Sequence, residues 1–256
     1  MTAVLAFDIE TVPDTEGLRR LHGLSVSIPD TEVAAMAFQR RRQTVGHDFL
    51  QLHLQRVVAI SCVLRDRDGL RVWSLGDPAE SEGGLIQRFF DGIEKFTPQL
   101  VSWNGGGFDL PVLHYRAMVH GVRAPRYWEL GDDDREFRYN NYISRYHTRH
   151  LDLMDLLGMY QSRVPLDEFA QLLGLPGKVG MHGSQVWEAF QAGQMEAIRN
   201  YCEADVANTY LVFLRFQHMR GHASDQEYAS ECAMARAAIE RLPGEHWKTF
   251  LNGWKV

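Results

Sequence analysis

Residues 3–11 read AVLAFDIET, and the fold turns on how this stretch is taken. Residues 3–9, AVLAFDI, are apolar up to an acid at position 8, the pattern of a short strand buried on both faces and therefore central in a sheet. Side chains alternate along a strand, so Asp8 and Glu10 project from one face and Ile9 from the other. Two neighbouring acids at the end of an apolar strand repel each other and lose hydration, which is costly unless something positive holds them. A metal ion is the natural partner; the plainer reading is that both acids simply end the strand in solvent.

Working outward, VVAISCVLR at 57–65 and LRVWSL at 70–75 are strand-like runs around Asp68-Gly69, a dipeptide suited to the positive-φ positions of a hairpin turn. With the first strand they make an antiparallel meander. Residues 82–96 place Leu85, Ile86, Phe89, Phe90 and Ile93 at helical spacing, and QLVSW at 99–103 reads as a fourth strand. That helix-then-strand step predicts a crossover to a parallel neighbour. HLDL at 150–153 supplies a short fifth strand, giving an α/β fold with three antiparallel strands followed by two parallel ones.

Helices are expected at 109–120, at 166–174 with Gly174 as C-cap, and at 195–218. Another is expected at 224–241, where Ser224 to Glu227 forms a capping box, packed on the outside of the domain. Residues 123–147 read as loop, and 174–183, GLPGKVGMHG, as a flexible loop. Residues 13–55 are an insertion between the first two strands; its segment 30–42 is compatible with a helix opened by Asp30 as N-cap.

The chain has 256 residues, 45% hydrophobic and 23% charged, enough for one large domain spanning 1–256, with 220–256 as a helical extension. A net charge of −6 gives no global positive field to hold long duplex nucleic acid, so any nucleic-acid contact must be local. Three cysteines without CxxC spacing suggest neither a zinc site nor a disulfide framework, and point to a reducing, cytoplasmic setting. Eleven histidines form no HExxH or Cys/His cluster, so zinc is disfavoured. The N-terminal run lacks the basic flank of a signal peptide, and no stretch approaches a membrane span.

Two further motifs carry acids. WNGGGFD ends in Asp109, placed at the start of a helix, where the positive end of the helix dipole favours a carboxylate. Asn104 is a candidate to bond a substrate or brace this loop, and Phe108 to pack in the core or against a base. In YCEAD, Tyr201 and Asp205 are four apart on a helix and share one face. Each motif alone fits an ordinary structural role.

Together they resemble the DEDD-type 3'-5' exonucleases, whose motifs Asp-X-Glu, Asn-X3-Phe-Asp and Tyr-X3-Asp occur here in order as Asp8–Glu10, Asn104–Asp109 and Tyr201–Asp205. The tyrosine places the chain with the tyrosine subclass, because the histidine subclass carries His where this chain has Asn200. NGGGFD and its flanks, over most of residues 3–216, are similar to predicted exonucleases related to the proofreading domain of family-B DNA polymerases.

The resemblance implies a ribonuclease H-like fold, a five-stranded mixed sheet flanked by helices. It implies two divalent cations, Mg²⁺ or Mn²⁺, about 3.5–4 Å apart. Asp8 would bridge both, Glu10 and Asp205 would help hold the one carrying the nucleophile, and Asp109 would support the second. Tyr201 would orient the attacking water. Thr11, Asn104, Phe108 and Lys178 are candidate substrate contacts. Asp152 stands where relatives often carry an acid, although structure or an N-cap explains it equally. Arg40 to Arg42 are candidates for a strand's backbone, against the solvated face that a charge run usually forms.

The implied substrate is a single-stranded 3' end, DNA before RNA, released as 5'-mononucleotides, with an unidentified repair or replication protein as the expected partner. The alternatives are an exoribonuclease, a non-catalytic nucleic-acid-binding domain, and another phosphoesterase using the same metals.

Overall fold

The computed structural model describes residues 2–159, 161 and 163–255. Met1 and Val256, the ends of the expected 1–256 span, lie outside them. Their core is a five-stranded sheet in the order β3-β2-β1-β4-β5. It comprises β1 (Val4–Pro13), β2 (Gln55–Asp66), β3 (Gly69–Ser74), β4 (Gln99–Ser102) and β5 (His150–Asp152). The pairs β1–β2 and β2–β3 are antiparallel, and β1–β4 and β4–β5 parallel, so the mixed sheet expected from the sequence is present.

Alternation along β1 sorts the two cores. Leu5, Phe7 and Ile9 pack with Ile60, Cys62 and Leu64 of β2 against α3 (Glu82–Phe96) and α4 (Asp109–His120). The five apolar residues expected on α3 are buried, each contributing about 1.5–3 kcal/mol. Val4 and Ala6 face the other way, with Tyr210, Leu211 and Leu214 of α8 (Met195–Met219). Asp8 and Glu10 continue this second series, which directs both carboxylates toward α8.

Several local expectations are corrected. Strand β1 runs on to Pro13, past its acids, because β2 continues opposite it and a bulge between Glu10 and Thr11 absorbs the change of register. The proline sits at the strand's last position, where a missing N–H costs no ladder bond. In the β2–β3 turn only Gly69 takes a positive φ, 130°; the Asp68 N–H is instead held by the Asp66 carboxylate at 2.9 Å.

The insertion holds two helices, α1 (Thr15–His22) and α2 (Asp30–Val45), then a 3-10 turn at Leu52–Leu54. Asp30 is not an N-cap. Pro29 occupies that position, while Asp30 is the first helical residue and pairs with Arg19 at 2.6 Å. Leu18, Val33, Leu50 and Leu54 give the insertion a small core of its own. The segment 123–147 contains a 3-10 turn at Arg135–Arg138 and inserts Tyr127, Phe137 and Tyr142 into the α3–α4 core. The Tyr142 hydroxyl donates to Pro98 O at 2.7 Å, the partner a buried phenol needs.

The remaining helices are α5 (Leu153–Leu157), α6 (Leu166–Leu172), α7 (Val186–Gln191), α9 (Asp225–Ile239) and α10 (Glu245–Gly253). Helix α6 is capped at Leu173, and Gly174, one residue later, takes the left-handed conformation. Ser224 and Glu227 cap α9 reciprocally, as the sequence predicts. That helix packs on α8 and β3, with Arg65 of β2 clasping Glu231 at 2.6 Å.

Candidate active site

Three elements bring acids together on the α8 side of β1. Strand β1 supplies Asp8 and Glu10; Asp109 is the first residue of α4; Asp205 lies one turn beyond Tyr201 on α8. Asp109 is buried, and its Oδ1 accepts the Ile9 N–H at 3.1 Å, which pins α4 to the strand between the two other acids. Tyr201, also buried, sets its phenol close enough to Asp205 to favour that carboxylate's charged form. The helical spacing read from the sequence therefore brings the two groups together.

The electrostatics are those of negative groups short of counter-charge. Burial, followed by the fields of Asp109 and Asp205, pushes Asp8 well above the carboxylate range. Burial does the same to Glu10, helped by Asp8, Asp205 and Asp109, with Lys178 opposing. Asp109 rises to about 7 through burial, although the Ile9 N–H works against it. Burial also lifts Asp205, to about 6, against the Tyr201 hydroxyl and Lys178. The phenol of Tyr201 is pushed up by burial and then by Asp205, Glu10 and Asp8, so it stays protonated as a donor.

Cys202 joins this set without a sequence signal to announce it. Its Sγ lies 3.4 Å from Asp8 O and 3.5 Å from Asp8 Oδ2. Ligand atoms of Asp8, Glu10 and Cys202 fall within 4.8 Å of one another, the one such group among the described residues; no histidine cluster accompanies it. Burial and then Asp8 and Glu10 push the thiol well up, so it serves as a weak S–H donor rather than a thiolate ligand. The available donors are carboxylate oxygens, which suit a hard divalent cation. A cation there would offset the burial that raises all four acids and the mutual repulsion that adds to it at Asp8 and Glu10.

The WNGGGFD loop is shaped from within. Asn104, not a glycine, takes the left-handed φ of 65°, a conformation asparagine tolerates better than most residues. Gly105 is required by proximity, since a Cβ there would stand 2.3 Å from Ser102 Oγ. Asp152 ties the loop down: its oxygens accept the N–H groups of Asn104 at 2.9 Å and Gly106 at 2.8 Å, and it also caps α5. Its role is thus structural. Ser102 in turn bonds His150 at 2.8 Å, and burial lowers that imidazole to about 4.

Lys178 is near the acids: its Nζ is 5.9 Å from the Tyr201 ring, and its charge stabilises ionised Glu10 and Asp205. Its loop, expected to be flexible, is fastened. Asn208 Nδ2 donates to Gly177 O at 2.8 Å, and the Lys178 N–H reaches Asp167 Oδ1 at 2.7 Å. These bonds join residues far apart in sequence, so no local pattern foretells them. Thr11 Oγ1 donates to Gln55 Oε1 at 3.0 Å, a strand-end contact. Phe108 is half-buried against Phe49 of the insertion, with ring centroids 5.6 Å apart. Arg40 to Arg42 lie on α2, outside the acid set.

Among the described residues no helix is long and apolar enough to cross a membrane. Residues 47–254 match the model of a family described as a predicted 3'-5' exonuclease related to the exonuclease domain of PolB. The match takes in Asp109, Tyr201, Asp205 and the C-terminal helices, which the motif resemblance covered less well, and leaves out β1, α1 and α2. Asp8 and Glu10 thus join the others through geometry. No curated protein matches the chain.

Proposed function

The chain belongs to that family of predicted 3'-5' exonucleases, and from this premise we propose that it shortens single-stranded nucleic acid from the 3' end, DNA in preference to RNA. It releases 5'-mononucleotides, acts as one domain, and uses two divalent cations, Mg²⁺ or Mn²⁺, held by Asp8, Glu10, Asp109 and Asp205. The observation that carries this reading is the convergence of four carboxylates, all raised by desolvation, on one partly buried face with Lys178 as the opposing charge.

When bound, the cations supply an activated water near neutral pH and stabilise charge on the departing 3'-oxygen. The chain's own residues set the geometry. Asp8 and Glu10, each in the field of both Asp109 and Asp205, would hold the cations together with those two acids, Asp8 shared between them, Glu10 and Asp205 serving one and Asp109 the other. Protonated Tyr201 stabilises the Asp205 carboxylate and orients the attacking water. Lys178 offsets the acids and faces a substrate phosphate. Thr11, Asn104 and Phe108 line the approach of the terminal nucleotide, Asn104 through a loop that Asp152 keeps rigid. Any proofreading or repair role requires a separate partner protein.

End-labelled single- and double-stranded DNA and RNA, digested with Mg²⁺, Mn²⁺ or chelator, test the reading. Single-stranded DNA should shorten from its 3' end with metal only, and Asp8→Ala should abolish turnover while retaining end binding. If no substrate releases nucleotides with either metal, the proposal fails.

A further inference from the structure

The insertion between β1 and β2 presents chemistry that the four acids do not use. Exposed Arg40 and Arg42, with Arg41 between them, sit on α2, and no carboxylate among the described residues pairs with this run. In a chain of net charge −6, such an unpaired cluster is a local exception. Arg41 Nε donates to Phe49 O at 3.0 Å, fixing the helix to a ring that is 53% exposed. Phe49 packs on Phe108, the residue that immediately precedes Asp109. Beside it His53 meets Tyr115 at 6.0 Å, and Tyr115 is 49% exposed. A cavity of about 330 Å³ is lined by Arg40, Arg41 and His53 and floored by Leu18, Leu50 and Leu54.

Resting on the exonuclease reading, we propose that residues 15–54 form the surface that holds the single strand upstream of the cleaved end. Phosphates lie along Arg40 to Arg42, and bases stack on the Phe49–Phe108 pair and the His53–Tyr115 pair. Cationic side chains beside exposed aromatic faces are the combination that single strands require: charge follows the backbone and π-faces accept any base. The occupant is a single strand rather than duplex, because a base in a helix offers no free face to a protein ring. Arg40 to Arg42 lie outside the family match, whereas Phe49, His53, Phe108 and Tyr115 lie within it.

Fluorescence anisotropy of a labelled oligothymidylate, measured in Ca²⁺ across a salt series, tests the surface apart from turnover. Arg40→Glu/Arg42→Glu should weaken binding at least about tenfold and reduce the salt slope by roughly 1.4, about 0.7 for each phosphate contact. Phe49→Ala should weaken it about fivefold or more with the salt slope retained. Arg241→Glu, outside the insertion, should leave binding unchanged. Equal binding in all of these variants, or no binding by the wild type, overturns the proposal. If the insertion variants lose binding while the wild type releases no nucleotide with Mg²⁺ or Mn²⁺, the surface stands and the exonuclease reading falls.

Discussion

Strand β1 and helix α4 help build two carboxylate clusters, and the clusters treat charge in opposite ways. At one, Asp8, Glu10, Asp109 and Asp205 face each other with a single lysine nearby. At the other, Asp14, just past β1, and Glu82, at the start of α3, both close on Arg116, two turns along α4 from Asp109. All three of those side chains are buried. Glu82 receives two guanidinium bonds, at 2.5 and 2.7 Å, and the Val57 N–H at 2.7 Å, while Asp14 also accepts the Gly17 N–H at 2.9 Å. Every charge there has a partner inside the chain. A sequence able to place an arginine against acids on α4 has placed none against Asp109 among the described residues, a lack of counter-charge that the proposed cations would make good.

The largest break in this comparison is Arg116→Met. It removes the shared partner of two buried acids and should cost about 3–5 kcal/mol, read as a lower denaturant midpoint that added Mn²⁺ does not restore. A metal-linked recovery would show that the two clusters are not separate.

The pH dependence of the metal-free protein separates the clusters next. Asp109 and Asp205 sit at about 7 and about 6 when folded, against about 3.9 unfolded. Raised folded values mean that the unfolded chain binds fewer protons between these limits. The contribution to stability is therefore fully present below about pH 4 and lost as pH rises through 6 and 7, on the order of 4 kcal/mol for Asp109 and about 3 kcal/mol for Asp205. Half-buried His114 and His150, both lowered to about 4, act in the opposite sense, favouring the fold above about 6.5 and weakening it as pH falls. Urea titrations at pH 5 and pH 8 with chelator should show lower stability at pH 8, and saturating Mn²⁺ should remove that loss. A loss that persists in Mn²⁺ would detach the acids from any metal role.

Tyr201→Phe comes next in size. The ring still fills its place beside Cys202 and Ile198, but the hydroxyl beside Asp205 is gone. Turnover should fall about 10- to 100-fold, the usual cost of losing an orienting partner, with the melting temperature nearly unchanged. An unchanged kcat would leave the phenol a purely structural role.

How much of this the sequence disclosed follows the range of the interactions involved. Strands β1 to β4, and the shared face of Asp8 and Glu10, were legible because two-residue alternation and apolar runs are local. The three acidic motifs were legible only as a set. Helix α1 and the extension of β1 to Pro13 were not, because polar residues dominate the helix, a proline ends the strand, and tertiary partners decide the state of both. Cys202 joined the site through a contact with Asp8 that no spacing rule describes, whereas Asp152, named from the sequence with an N-cap as one reading, does cap α5. Arg116 was invisible for the same reason: its partners lie 34 and 102 residues away, and an arginine on a helix reads as solvent-facing until they are placed.

The smallest effect is the most discriminating, because it makes one chemical change at two positions of the same chain segment. Asp8→Asn replaces a carboxylate whose burial and acidic neighbours already disfavour its charge. In the metal-free protein it should raise stability by about 1 kcal/mol, in line with relief of like-charge repulsion, and it should weaken the stabilisation that Mn²⁺ gives the wild type. Asp14→Asn keeps an oxygen for the Gly17 N–H but leaves Arg116 half-paired, so it should lower stability by about 1–3 kcal/mol whether or not metal is present. Opposite signs in parallel melts would fix one cluster as built to receive a cation and the other as built to need none. Equal signs would mean that both acids are ordinary structural carboxylates, and the case for a metal at Asp8 would fall with them.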